Sequence, residues 1–209
     1  MSTWGDMKAQ IVREMKRGEM SVSATAIPSA MAQAIRFWQN DRFWFNEFVE
    51  NSFSASASTT YVSLPVSPVI IDDVRVTIST RVYALIEKPW GSLNFADSGQ
   101  YFGYPDYYSF KAEQLRLYPA PSQNYLLDIS GVRVLPETTS AGVSNSASNA
   151  WTNEAEALIR VQAKSFLYRN ELLSPQLADQ MDAEAKRHYG SLRRRSNLLL
   201  PRGKIRGRY

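Results

Sequence analysis

The chain offers few side chains of the types that catalyse reactions or bind metals. Its 209 residues include no cysteine and one histidine, His188. The sequence therefore supplies neither a thiolate nucleophile nor a set of Cys and His ligands for zinc. His188 follows Lys186 and Arg187 in a stretch of helical spacing. We expect no carboxylate at helical spacing to orient its imidazole, and we interpret it as a solvated or interface residue rather than a general base.

The acidic residues and the glycines show no arrangement typical of a reactive site. Asp72 and Asp73 are adjacent, and neighbouring side chains of a strand point to opposite faces. Glu154 and Glu156 fall in the first turn of a predicted helix, where the helix dipole accounts for them. The glycines follow no phosphate-binding spacing, and no Gly-x-Ser-x-Gly motif occurs. We predict no catalytic residue, no metal site and no cofactor, and we expect the protein not to be an enzyme.

Positive charge is concentrated at the C-terminal end of the chain. Residues 186–209 hold nine of the 24 Lys and Arg residues and none of the 20 acidic ones, which leaves 15 cations against 20 acids elsewhere. A segment of this kind typically binds a negatively charged partner. The contact residues that we predict combine charges with apolar anchors: Arg193, Arg194, Arg195, Leu198, Leu199, Leu200, Arg202, Lys204, Ile205, Arg206, Arg208 and Tyr209.

The apolar anchors favour docking of this arm into a protein groove, since an arm that binds DNA needs only charge. Two alternatives stay open. The arm could neutralise nucleic acid phosphates, which would make binding strongly dependent on salt. It could also be a disordered tail that keeps the protein soluble.

Aromatic residues form two further candidate sites. The ring-rich stretch 36–45, with its interleaved arginines, is either a core junction, which we favour, or a stacking platform for single-stranded nucleic acid. A later loop, flanked by glycine and proline, is either a protein-binding surface, because tyrosine offers contact area at low entropic cost, or part of the packed structure. A carbohydrate-binding role of this loop is a further alternative. Its residues are Tyr101, Tyr104, Tyr107 and Tyr108.

The period of the apolar residues changes twice along the chain, from helical spacing to alternation and back. The predicted fold class is α+β: an antiparallel bundle of about four helices, an inserted antiparallel β-sandwich or barrel-like domain, and an extended basic C-terminal arm. Residues 1–50 and 149–195 form the bundle, 51–136 the β domain, 137–148 a linker, and 196–209 the arm. No stretch has the roughly 18 apolar residues of a membrane span, so we expect no membrane contact.

Several local signals predict details of this scaffold. Thr3 and Asp6 predict a capping box before a buried apolar stripe, and Ser79-Thr80 predicts the turn of a hairpin. Gly131 indicates a β-bulge, and Thr152 is the expected N-cap of the third helix. Proline and glycine after residue 200 predict that the arm does not continue the last helix.

Four segments stand out in order along the chain: Arg42-Phe-Trp-Phe-Asn-Glu47, Tyr61-Val-Ser-Leu-Pro65, Gln114-Leu-Arg-Leu-Tyr-Pro-Ala-Pro121 and Asn149-Ala-Trp-Thr-Asn-Glu-Ala-Glu-Ala-Leu-Ile-Arg160. Together they resemble the head-to-tail adaptor proteins of short-tailed bacteriophages. The resemblance extends from the second helix to the basic end of the chain.

The resemblance implies a helical bundle with an inserted β domain, assembled as a homo-oligomeric ring, commonly twelvefold, beneath the portal. It implies two protein partners, the portal protein and the tail nozzle or tube, with the C-terminal arm reaching the portal. The tyrosine loop is then the candidate surface for binding the tail or a neighbouring subunit. DNA would pass through the lumen of the ring without sequence-specific binding. The implied location is the neck of the virion, after synthesis in the cytoplasm of the host bacterium.

Overall fold

A computed structural model describes residues 2–16, 25–64, 68–93, 101–135 and 145–199. The chain divides into two compact units. The helical unit comprises Met1–Asn46 and Leu135–Tyr209, and the β unit comprises Glu47–Val134. The protein is therefore α+β, as predicted. Residues 47–50, which we assigned to the helical part, instead begin the first strand, because Phe48 and Val49 alternate in burial as strand residues do.

The helical unit contains five described helices rather than about four. They are α1 (Trp4–Lys16), α2 (Ala26–Trp38), α3 (Ala150–Glu154), α4 (Glu156–Asn170) and α5 (Pro175–Leu199). The predicted third helix is split at Ala155, whose backbone is not helical. Its N-cap is Asn149 rather than Thr152: Thr152 N donates to Asn149 Oδ1 at 3.0 Å, and Asn149 N donates to Thr152 Oγ1 at 2.9 Å.

The start of α1 confirms the predicted capping box. Thr3 N donates to Asp6 Oδ2 at 3.0 Å, and Asp6 N donates to Thr3 Oγ1 at 3.1 Å. Two backbone bonds also tie this end of the helix to a distant segment, since Trp4 N donates to Ala147 O and Gly5 N to Asn145 O, each at 2.9 Å. The apolar stripe that follows is buried in the core of the helical unit, as predicted: Trp4, Met7, Ile11 and Met15.

The β unit contains ten strands in the described residues. They are β1 (Glu47–Ala55), β2 (Tyr61–Ser63), β3 (Pro68–Ile78), β4 (Arg81–Ala84), β5 (Ile86–Glu87), β6 (Phe102–Gly103), β7 (Tyr107–Lys111), β8 (Gln114–Tyr118), β9 (Ala120–Pro121) and β10 (Tyr125–Arg133). One four-stranded sheet has the order β1-β10-β3-β4 and another the order β2-β8-β7-β5, while β6 and β9 form a small pair. No sheet closes into a barrel in this part of the chain.

Side chains from both four-stranded sheets share one buried cluster, which includes Val74 and Leu127 of the first sheet and Leu115 of the second. The predicted hairpin is confirmed, since β3 and β4 pair antiparallel around Ser79. The predicted bulge is confirmed too, because the register of β10 against β3 shifts between Ser130 and Gly131. The purely antiparallel pairing that we expected is wrong in two places: β5 pairs with β7, and β6 with β9, in parallel.

Across the five described helices, none combines the length and the apolar composition needed to cross a bilayer.

Candidate interaction surfaces

The basic C-terminal segment begins as a helix. We predicted an extended arm from residue 196, but α5 continues to Leu199, and Ser196 Oγ donates to Leu192 O at 3.0 Å inside its last turns. The helix-breaking proline and glycines occur only after residue 200, so nothing in 196–199 interrupts helical hydrogen bonding. The remaining predicted contact residues lie outside the described residues: Leu200, Arg202, Lys204, Ile205, Arg206, Arg208 and Tyr209.

The arginines at this end of α5 are held by contacts within the helical unit. The Arg195 guanidinium lies 4.4 Å from the centre of the Trp44 ring and 3.2 Å from Glu154 Oε2. Arg193 Nη1 donates to the hydroxyl of Tyr189 at 2.5 Å. A cation over an aromatic face and a carboxylate partner both restrict a long side chain. These contacts therefore orient the charges on the surface of the unit.

Two leucines close to these arginines are exposed to solvent. Leu198 is 81% exposed and Leu199 is 55% exposed, in the last turn of α5. Arg194, between the two held arginines, donates from Nε to Gly190 O at 3.2 Å. The end of α5 thus combines an exposed apolar pair with oriented positive charge, which are the features that anchor a helix end to a protein surface.

α5 is fixed against α4 by a polar cluster around Asp182. Its carboxylate accepts from Ser165 Oγ at 2.5 Å, from Gln162 Nε2 at 3.1 Å and from Arg169 Nη2 at 2.8 Å. Partial burial acts to raise the pKa of Asp182, but these hydrogen bonds outweigh that effect, and its pKa lies below the ordinary value. The ionised carboxylate is therefore the form that stabilises the fold and positions the basic end of α5.

We expect Asp182→Asn to lower the free energy of unfolding at neutral pH by about 1–3 kcal/mol, because its amide cannot accept all three hydrogen bonds. Since the folded pKa is lowered, the stabilisation is present above the unfolded value of about 4 and is lost as pH falls through the folded pKa. Urea unfolding at neutral and acid pH measures this difference. Asp179→Asn is the matched control, because Asp179 also bonds Arg169 but its side chain is 76% exposed. A loss as large for the control would contradict this assignment.

The ring-rich stretch is a core junction in its central part. Phe43 is fully buried, and Trp38 stacks on Tyr189 with centroids 4.7 Å apart. Phe37, in contrast, is 60% exposed, and its edge meets the ring of Phe166. The core interpretation is therefore confirmed for Trp38 and Phe43, while Phe37 is exposed on the outside of α2.

The four tyrosines of the predicted loop have different surroundings. Tyr101 and Tyr104 are exposed on either side of β6. Tyr107 lies in β7 with Lys88 Nζ 5.3 Å from its ring centre. Tyr108, the next residue of the strand, is buried in the core of the β unit. Tyr108 therefore does not lie on the surface, because β7 runs between β8 and β5 and this side chain joins the buried cluster.

His188 has a carboxylate at helical spacing, contrary to our expectation. Glu184 precedes it by one turn of α5, and its Oε1 lies 3.7 Å from Nε2. Both side chains are more than a third exposed, and the contact is longer than a good hydrogen bond. Within the described ranges, no three His, Asp or Glu side chains come close enough together to hold a metal ion. Asp73 forms a 2.7 Å ion pair with Arg75.

Sequence reasoning missed the residues that hold the arginines. Tyr189 precedes Arg193 by four residues, a spacing that sequence alone can reveal. Trp44 and Glu154 are far from Arg195 in sequence, and only the packing of the helical unit brings them together. We had attributed Glu154 to the helix dipole alone, which gave no reason to connect it with the basic segment.

These observations define the class of the protein: an α+β chain of two units whose helical unit carries an oriented basic helix end with exposed leucines. The family comparison identifies it further. The chain belongs to the SU10 adaptor protein family, whose model matches residues 2–206. This confirms the resemblance to phage head-to-tail adaptors and makes the protein a structural phage adaptor. Family membership implies a place in the virion neck, in association with portal and tail components. A search of curated proteins found no match.

Proposed function

We propose that this protein forms a ring that joins the portal to the tail, docks on the portal through the end of α5 and the residues after it, and lets DNA pass through its lumen without sequence-specific binding. The observation that carries the proposal is the family match over residues 2–206. In this assignment the protein is a connector and not an enzyme. We expect the ring to be twelvefold, which is common among the adaptors that the chain resembles.

The exposed pair Leu198 and Leu199 supports a protein partner for the arm. These side chains are 81% and 55% exposed, so their burial in a groove would favour binding by removing apolar surface from water. The arginines beside them supply charge complementary to an acidic portal surface. Arg193 and Arg195 are held by Tyr189 and by Glu154 with Trp44, so they lose less side-chain entropy on docking than free arginines would.

The finer architecture that we propose follows from the two cores. In the helical unit, α2 and α5 both pack against α4, which supports an antiparallel bundle. In the β unit, the two four-stranded sheets share one buried cluster, which supports a sandwich. A binding role for the exposed Tyr101 and Tyr104, toward the tail or a neighbouring subunit, completes the proposal for the surfaces.

A truncated chain that ends at Leu199 tests the docking role. It retains α5 and removes residues 200–209, so the helices and their caps are expected to remain. We expect binding to the portal protein of the same phage to be lost in the truncated chain, as measured by co-sedimentation with assembled portal. Leu198→Ala with Leu199→Ala in the full chain should weaken binding about tenfold or more. Undiminished binding by the truncated chain would contradict the proposal.

The same samples separate protein docking from nucleic acid binding. A steep fall of duplex DNA affinity with salt, starting from submicromolar binding, would favour a nucleic-acid-binding protein. Weak DNA binding with little salt dependence, together with portal binding by the full chain, is the result that we expect.

A further inference from the structure

The last strand of the first sheet, β4, has an edge that no strand of the described residues covers. Among the described residues β4 pairs with β3 only, and all four of its residues are exposed. It includes Val82, which is 53% exposed, and Tyr83, and it contains no proline and no bulge. Proteins usually protect such an edge with charges, prolines or bulges, because its free N–H and C=O groups can pair with another strand. Here a single charge, on Arg81, begins the strand.

The opposite edge of the same sheet is β1, which pairs with β10 only in the described part of the chain. A register shift between Glu50 and Phe53 divides β1, so its regular first part is Glu47–Glu50. This part has four residues, the same length as β4. Val49, within it, is 68% exposed.

The register within the sheet places the two exposed valines on the same face. Val49 lies opposite Ser130, and Ser130 lies opposite Asp73 of β3. Thr77, four residues further along β3 than Asp73, lies opposite Val82. Residues directly opposite each other, and residues two apart on a strand, share a face. Val49 and Val82 are therefore both on the outer face, the face of the sheet that points away from the buried cluster. Arg81 and Glu50 are both on the inner face, the face that carries the buried cluster.

We propose that β4 of one copy pairs antiparallel with β1 of a second copy, which joins their first sheets into one continuous sheet. All neighbours in the sheet run antiparallel, and with four strands the two edge strands run in opposite directions. Antiparallel pairing thus continues across the junction without reversing a copy. The register that matches the faces places Val82 opposite Val49 and Arg81 opposite Glu50.

This register brings favourable pairs together on both faces. An apolar pair of β-branched residues forms on the outer face and a pair of opposite charges on the inner face, and each kind of cross-strand pair is stabilising. Pairing β1 with a second β1 would instead bring the glutamates of both copies close together, and like charges repel. Pairing two β4 strands would leave the edges of both β1 strands unpaired. Contact between two different edges repeats from copy to copy and can close a ring. The inference thus rests on the proposed ring and names the strands that hold it together.

The absence of cysteine in the sequence permits a clean cross-linking test. Val82→Cys and Val49→Cys are made as separate full-length variants, mixed in equal amounts, and treated with a short bismaleimide reagent. We expect a covalent dimer in the mixture and far less of it with either variant alone. Leu126→Cys mixed with Val49→Cys is the matched control, because Leu126 is exposed on the same face but in the central strand β10.

Two results would overturn the inference. One is a dimer yield in the Val82→Cys and Val49→Cys mixture no higher than in the Leu126→Cys control. The other is a higher yield with Val82→Cys alone, which would indicate pairing of two β4 strands. If rings form on the portal but the Val82→Cys and Val49→Cys variants do not cross-link, the pairing of β4 with β1 is contradicted and the proposed function is not. If the variants cross-link but the protein does not dock on the portal, the proposed function is contradicted and the pairing of the strands is not.

Discussion

Replacing Trp151 with alanine is expected to lower the free energy of unfolding of the helical unit by about 3–5 kcal/mol. Trp151 is fully buried, and the rings of Phe43 and Phe45 meet it edge-on with centroids 5.8 and 5.1 Å away. Its removal leaves a cavity that these rings, themselves stacked on each other, can fill only by giving up their own packing. Urea unfolding followed by far-ultraviolet circular dichroism, which reports the helices, measures the loss.

Trp151→Phe is the control for this prediction. Among the described residues, the indole Nε1 of Trp151 is buried without a hydrogen-bond partner, so phenylalanine removes a polar group that gains nothing from burial. It also keeps an aromatic ring between Phe43 and Phe45. We expect a clearly smaller loss than with alanine. Equal losses for the two variants would show that the packing of the rings is not what stabilises the junction.

Replacing Gly131 with alanine is expected to destabilise the β unit by about 3 kcal/mol. A Cβ at this position would lie 2.1 Å from Ile70 O and 3.1 Å from Ile71 Cα. Both atoms belong to the backbone of β3, which is paired with β10 at the bulge, so neither can move away without breaking the ladder. Hydrogen exchange should show lost protection in peptides of β3 and β10, with peptides of α4 unchanged.

Gly190→Ala makes the same chemical change with the opposite expected sign. Gly190 lies within α5, and a Cβ there meets no atom within 4 Å apart from the neighbouring backbone of the helix itself. We expect this substitution to stabilise the protein by about 1 kcal/mol, the helix-propensity difference between the two residues. If Gly131→Ala proved as harmless as Gly190→Ala, the close approach of β10 to β3 would be contradicted.

The features that the sequence predicted well are local ones. The Thr3 and Asp6 capping box, the hairpin at Ser79 and the bulge at Gly131 each depend on a few adjacent residues whose conformational preferences act at short range. Glu184, which precedes His188 by one turn of α5, was also a local signal in the sequence. Asn149, three residues before Thr152, likewise meets the capping pattern.

The features that could not be predicted depend on contacts distant in sequence. The parallel pairing of β5 with β7 follows from how the chain passes from one sheet to the other at the buried Leu85. Tyr108 is buried because β7 lies inside its sheet, between β8 and β5. The position of Arg195 over Trp44 needs the folded helical unit. Composition alone could not show that α5 continues to Leu199.

The docking proposal gives the helix α5 a direct mechanical role. Asp182 fixes one part of the helix to α4, and Arg195 fixes the other end to Trp44 and Glu154. A segment that leaves such a fixed helix end starts from a defined point and direction. When the end of α5 docks, its residues up to Leu199 are already ordered, and many equal contacts around a ring add to a tight joint.

Electron microscopy of the assembled portal with the full chain tests the central claim most directly. The account predicts a closed ring of adaptor copies beneath the portal, with density that continues from the end of α5 into a groove of the portal protein. The chain that ends at Leu199, imaged under the same conditions, should give portal particles without this ring. A bound ring in which the end of α5 points into solvent would contradict the account.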